Sequence, residues 1–248
     1  MIGLSIHSLS LFFLISIRLG AIILFSPLEV IRRLPVQIRL LLLFLSSFLI
    51  ILNIDAPFQA ESLAAAFAAE LINSQLFYLS LSACIGCFQI AGHLIDIQNG
   101  LNGVSVFKPD AGFDSLSAHL LGMMAALFFF ASQGHHKFIR LILVSFAESP
   151  PGKLIGQFDL LHFIKQFAMI WSLGLLIASP VVFCLWLVEV CSGVLSRNMP
   201  QVSPFFLILP VKILLGFLVF YLLLDNINPL LQKTFELGFQ CWRGYLHD

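Results

Sequence analysis

The chain has 248 residues, of which 59% are hydrophobic and 10% charged, and its mean hydropathy is +0.99. A soluble domain carries about 25% charged residues, so the composition excludes an ordinary soluble enzyme and points to an integral membrane or membrane-assembled protein. Thirteen Lys and Arg balance thirteen Asp and Glu, and without a basic tail or face there is no sign of nucleic acid as a partner; membrane lipid and protein remain.

The first apolar segment, residues 2–25, is long enough at about 1.5 Å per residue to cross a ~30 Å hydrocarbon core. No Lys or Arg precedes it, so it does not read as a cleaved signal peptide. Its one charge is Arg18. An arginine at depth in lipid costs about 2.5 to 3.5 kcal/mol, so Arg18 is expected to reach a headgroup, water or a protein partner, including one on another subunit. Residues 26–39 form a polar connector with Pro27, Pro35, Arg32, Arg33 and Arg39, followed by a second apolar segment, 40–54, and a turn around Pro57. Residues 62–95 read as one long helix carrying Glu70, for which a structural partner is expected rather than a catalytic task.

Residues 96–115 are the longest polar, glycine-rich interruption in the chain. Gly100, Gly103, Pro109 and Gly112 oppose a continuous helix there. In a chain otherwise suited to hydrocarbon, irregular backbone is tolerated only in water, inside protein or against an aqueous cavity. Two readings remain at this point: an ordinary surface loop, or a loop lying in a pore and obstructing it.

Beyond the loop, residues 116–130 are apolar and lead to Gln133-Gly134-His135-His136. Adjacent histidines point in different directions and make a poor metal pair, so they read as a polar cap at a membrane interface. Residues 137–146 continue apolar with a charged face until Pro150, Pro151 and Gly152. Residues 160–190 form another long apolar segment, with a kink or boundary expected at Pro180. A second polar stretch, 189–204, precedes the last apolar run, 205–224, which contains Pro210 and Lys212; residues 226–248 form an amphipathic tail.

These six apolar segments are not oriented by charge. Six simple crossings would set Arg32, Arg33, Arg39, Lys108 and Arg197 against Lys137, Arg140, Lys153, Lys165, Lys233 and Arg243, five against six, whereas short loops normally show a clear imbalance. Together with Glu70, Glu189 and Lys212 inside helices, this predicts that some segments bury against neighbouring subunits rather than lipid.

Catalytic signatures are absent: there is no phosphate-binding Gly-rich loop with Lys-Ser/Thr, no His-Glu-x-x-His and no Gly-x-Ser-x-Gly. Cys84-x-x-Cys87 lacks a second ligand pair and reads as packing. No catalytic, cofactor or metal residue is assigned. The rival to a structural role is a stand-alone multipass transporter of a small solute, with Glu70, Arg18 or Lys212 near a midplane site.

Four stretches carry a family resemblance. They are Arg18-x-Gly20 followed by Pro27, Pro35 and Arg39; Ala91-Gly-His-Leu-Ile-Asp96-Ile-Gln98-Asn-Gly100; Gly134-His135; and Ser192-Gly-Val-Leu-Ser-Arg197-Asn-Met-Pro200-Gln201 with Phe205, Phe206 and Pro210-Val-Lys212-Ile-Leu-Leu-Gly216. The chain resembles the FliR family of flagellar export proteins, called SctT in virulence type III secretion, with the flagellar branch favoured. It departs from the pattern at Ser74, where the family usually has Gly, and at Lys108-Pro109, where Asp-Pro is commoner.

The resemblance implies an all-α fold of membrane-associated helical hairpins in a single export-gate domain. Residues 1–158 would be FliP-like and residues 159–248 FliQ-like. It implies assembly with FliP-like and FliQ-like subunits in the bacterial inner membrane, FlhB-like and FlhA-like proteins as further partners, and unfolded export substrates as cargo. Val106, Phe107, Lys108, Pro109, Asp110, Ala111, Gly112, Phe113, Asp114 and Ser115 correspond to a loop that plugs the closed channel, with Gly100 and Gly103 as hinge. Bulky Phe107 and Phe113 suit a hydrophobic constriction. Arg18, Glu70, Arg197, Pro200 and Lys212 are expected to serve assembly, Arg197 and Pro200 by orienting the turn between the last two long helices.

Overall fold

A computed structural model describes residues 6–53, 63–101, 115–154, 160–198 and 204–246. The described residues form α1 (Ile6–Leu24), α2 (Glu29–Arg32), α3 (Val36–Asn53), α4 (Leu63–Asn99), α5 (Leu116–Ala131), α6 (Gly134–Glu148), α7 (Leu160–Asn198), α8 (Pro204–Asp225) and α9 (Ile227–Leu246), with no strand among them. The all-α reading therefore holds.

Among the described residues, three helices are long and apolar enough to cross a membrane: Leu63–Asn99, Phe163–Arg197 and Ile208–Asp225. The pair α5 and α6 makes a fourth if counted as one broken span, since it bends by 70°. Gln133 sits at the break with φ 55, a left-handed backbone that closes α5 and re-aims the chain into α6. The polar residues 132–137 between two apolar runs thus hold a sharp corner. The apolar parts of α1 and α3, Leu9–Leu24 and Val36–Leu52, are shorter.

The prolines are less disruptive than the sequence predicts. Helix α7 runs unbroken through Pro180 to Asn198, absorbing the first half of the second polar stretch, and α8 runs through Pro210. Pro180 is therefore not a helix boundary. Ile177, Ala178, Val181 and Leu185 form a fully buried stripe at helical spacing on both sides of it. In an apolar setting every remaining backbone group must be satisfied within the helix, which favours continuation past an isolated proline.

By internal contacts the chain divides into two compact units. The first comprises Met1–Ile85, Ala126–Ala168 and Phe235–Asp248, and the second Gly86–Ala125 and Met169–Thr234. In the first unit α1 packs on α3, with Phe12 and Phe44 stacked at 5.8 Å, and Phe129 meets Phe235 at 5.5 Å. In the second unit Phe88, Ile95, Leu121, Ile177, Val181 and Leu185 are buried. Gly174 lets α7 approach the backbone of α4, where an added Cβ would sit 2.5 Å from the Cys87 carbonyl oxygen.

Candidate functional site

Three groups of polar side chains stand out in this apolar protein, and each includes a residue from a segment that carries the family resemblance. The first network lies in the first unit and is centred on Arg18. Its Nε and Nη2 donate to Glu70 Oε2 and Oε1, both at 2.6 Å, and both side chains have no exposure. Nη1 donates to the carbonyl oxygens of Ser145 at 3.2 Å and Ser149 at 3.1 Å, while the guanidinium lies 4.2 Å from the Phe146 ring centre. Glu70 Oε1 also accepts the Gly152 N–H at 2.8 Å. Every charge is therefore matched, and this is what a buried ion pair requires if desolvation is not to outweigh attraction. The pair joins α1 to α4, and its hydrogen bonds fix the end of α6 and the Pro150–Gly152 turn. Nearby, Asn73 Nδ2 donates to the Lys153 carbonyl at 2.9 Å. Ser74, the departure from Gly, is buried with its Oγ accepting the Ala21 N–H at 3.1 Å, so close packing against α1 survives through the hydroxyl.

Arg39 organises the connector by the same chemistry. Its guanidinium collects the carbonyls of Leu24 at 2.7 Å, Arg32 at 2.9 Å and Leu34 at 2.9 Å, capping the end of α1 as α3 begins.

The second network, in the second unit, forms the head of the α4–α5 hairpin. Gly92 and Asp96 stand four residues apart and so share one face of α4, and Gly100 follows just past its end. A Cβ at Gly92 would overlap the backbone of Ser117 and Ala118, so the two helices meet there without a side chain between them. One turn on, Asp96 is 1% exposed and accepts three hydrogen bonds from α5: Ser115 Oγ to Oδ2 at 2.5 Å, Ser117 N–H to Oδ2 at 3.0 Å, and Ser117 Oγ to Oδ1 at 2.5 Å. Ser115 is itself the local cap of α5, its Oγ accepting the Ala118 N–H at 3.2 Å. Gly100 then ends α4 with φ +77, a conformation that costs glycine little.

The third network joins α4, α7 and α8, also within the second unit. Glu189 pairs with Lys212 and accepts a hydrogen bond from Gln98 Nε2 at 3.2 Å. The Glu189 side chain is 46% exposed although it lies inside an apolar helix. Beside this cluster, Asn99 is 1% exposed and packs on Gly216 of α8, and neither of its amide atoms has a hydrogen-bond partner among the described residues.

The assembly residues thus fall into different settings. Arg18 finds its partner within the chain, at Glu70, rather than on a headgroup or on another subunit. Lys212 finds Glu189. Arg197 lies exposed in the last turn of α7 with no ion-pair partner among the described residues. Pro200, Gly103 and the positions from Val106 to Asp114 lie outside the described residues, and Ser115 belongs to the cap of α5. His135 and His136 begin α6 with ring centres 4.1 Å apart, and Cys84 and Cys87 lie buried one turn apart on α4. Sequence reasoning missed Ser145, Ser149 and Gly152 as partners of the first pair, and Ser117 as a partner of Asp96. It also missed the role of Gly92, for which the four-residue spacing to Asp96 and Gly100 was the available signal.

Comparison with known proteins supplies an independent line. The sequence profile of the family described as "Bacterial export proteins, family 1" matches residues 9–238. The chain is 28% identical over 244 residues to the flagellar biosynthetic protein FliR of Bacillus subtilis (strain 168), covering 95% of this chain and 94% of that protein. It is 26% identical over 234 residues to FliR of Escherichia coli (strain K12), covering 92% and 89%. To the surface presentation of antigens protein SpaR of Shigella flexneri it is 30% identical over 156 residues, covering 62% and 60%.

Proposed function

The chain belongs to the bacterial export proteins of family 1, and from that premise we propose that it is a pore-forming subunit of the flagellar type III export gate. Its family and the three long apolar helices among its described residues put it in the bacterial inner membrane, as a component of the flagellar export apparatus. In the proposed role it passes unfolded export substrates across that membrane and catalyses no covalent chemistry, the energy being supplied elsewhere in the machine.

The observation that carries the proposal is the family match over residues 9–238, nearly the whole chain. The geometry supports it in kind. Arg18 and Glu70 satisfy each other fully, and Lys212 is committed to Glu189, so these charges hold helices together rather than presenting a midplane site to a solute. We assign residues 1–158 to a FliP-like part and 159–248 to a FliQ-like part, with FliP-like and FliQ-like subunits as ring neighbours and FlhB-like and FlhA-like proteins as further partners. The segment from Val106 to Asp114 is the proposed plug of the closed channel, with Gly100 and Gly103 at its hinge.

Co-purification tests this reading. Extracted from membranes in mild detergent, the chain is expected in a stable complex with FliP-like and FliQ-like subunits. A stable lone monomer that moves a small solute in liposomes would replace this reading with that of a transporter.

A further inference from the structure

We infer that α6 is an interfacial helix that binds the anionic headgroups of membrane phospholipid through Lys137 and Arg140, with Ile139 and Leu143 set into the acyl boundary beside them. This surface needs only the membrane location of the chain and is independent of what closes the channel.

The helix has two distinct faces. Phe138, Ile142, Ser145 and Phe146 are buried, and Arg18 Nη1 holds the carbonyls of Ser145 and Ser149, which keeps α6 from rolling about its axis. The opposite face is exposed and divided lengthwise. Ile139, Leu143 and Ala147, each four residues from the next, form an apolar strip. His136 and Arg140, also four apart, run beside it with Lys137 next to them. Ile139 and Leu143 are 54% and 39% exposed, so the strip is open to a partner. An apolar strip bordered by cations suits a helix lying in the headgroup region, where its apolar flank reaches the acyl chains and its cations reach the phosphates.

The direction of the helix agrees with this setting. Helix α5 carries no Lys, Arg, Asp or Glu, and α6 leaves it at 70°. With α5 at the ordinary tilt of about 20° from the bilayer normal, α6 still runs closer to the membrane plane than to the normal. Charge then selects the lipid. Arg140 makes no ion pair among the described residues. Lys137 lies over the Phe239 ring, 5.9 Å from its centre, a contact that leaves its charge without a counter-ion. Glu148, the one acid in α6, stands at the far end of the helix and has a partner of its own. An apolar strip alone would accept any lipid. Two uncompensated cations beside it favour a negative headgroup, by about fivefold each (~1 kcal/mol).

The test places a photo-crosslinking benzoylphenylalanine at position 139 in place of Ile139, in the assembled complex purified from membranes. The complex is reconstituted in vesicles of phosphatidylcholine with phosphatidylglycerol as the minor component, irradiated, and the adduct at position 139 identified by mass. The expected result is a lipid adduct in which the ratio of phosphatidylglycerol to phosphatidylcholine exceeds that of the vesicles by about 25-fold. Lys137→Gln combined with Arg140→Gln should bring the ratio back to that of the vesicles, whereas Arg140→Lys should largely preserve it, because a headgroup phosphate accepts either cation. An adduct to another protein chain would overturn the inference and make this face a docking site for a neighbouring subunit. Lipid adducts with no enrichment of phosphatidylglycerol would also overturn it, leaving an ordinary lipid-facing strip. If the double variant fails to assemble, the unaltered charges are screened instead: at about 1 M salt the enrichment should collapse, and enrichment that persists would show that Lys137 and Arg140 are not its cause.

Discussion

Arg18 and Glu70, 52 residues apart in sequence, form a doubly hydrogen-bonded ion pair at 2.6 Å with no exposure on either side chain. Breaking such a pair strands a charge in a low-dielectric interior, which typically costs about 3 to 5 kcal/mol. Arg18→Ala and Glu70→Ala are therefore expected to lower the melting temperature and the yield of the purified complex sharply. Arg18→Lys should recover little, because a lysine cannot make the two parallel bonds to Glu70 and still reach Ser145 and Ser149. A thermal melt of each variant checks the order.

Gly92 is predicted to tolerate no side chain. The atoms an added Cβ would meet are backbone, not the ends of flexible side chains, so α4 and α5 must separate. Overpacking of this kind costs about 1 to 3 kcal/mol or more. Gly92→Ala should destabilise the complex, whereas alanine at Gly20 or Gly193, where an added Cβ meets nothing within 4 Å, should be nearly neutral in the same melt.

Asn99 is a buried amide whose two polar atoms have no partner among the described residues, a condition that costs about 1 to 3 kcal/mol. Asn99→Leu, close in size and without polar atoms, is expected to leave stability unchanged or improved. If the same variant lowers export, the amide serves a state of the gate in which it finds its partner. Parallel measurement of melting temperature and secreted substrate separates the two effects.

Ser74 offers a mild test of a departure from the family pattern. Ser74→Gly removes the hydroxyl that accepts the Ala21 N–H and places glycine inside a helix, each worth about 0.5 to 1.5 kcal/mol. A small drop in melting temperature with export preserved is expected, and complete loss of assembly would show that the contact between α1 and α4 is more demanding than described.

Much of this was legible before any coordinates. The hydropathy pattern located the long helices, and the cost of charge in an apolar setting marked Arg18, Glu70 and Lys212 as residues in need of partners. The identity of those partners was not legible. Arg18 is held by groups from two distant parts of the chain, Glu70 and residues 145–149, and carbonyls of Ser145 and Ser149 leave no mark in a side-chain pattern. The polar Gln133-Gly134-His135-His136 stretch marked a break, but not the 70° corner that forms where Gln133 takes a left-handed backbone. Pro180 does not end α7, because apolar surroundings favour continuation of the helix past a local breaker. The role of Asp96 needed both: the sequence marked it as the end of a long helix, and the structure turned its side chain onto the next one.

We propose that this chain contributes a channel and the segment that closes it. The most direct measurement is the small-ion permeability of cells carrying an intact gate from which residues 106–114 have been deleted, compared with the unaltered gate at equal abundance. Raised permeability in the deletion variant, abolished when the whole chain is absent, is the predicted result. Unchanged permeability in a complex shown to be fully assembled would contradict it.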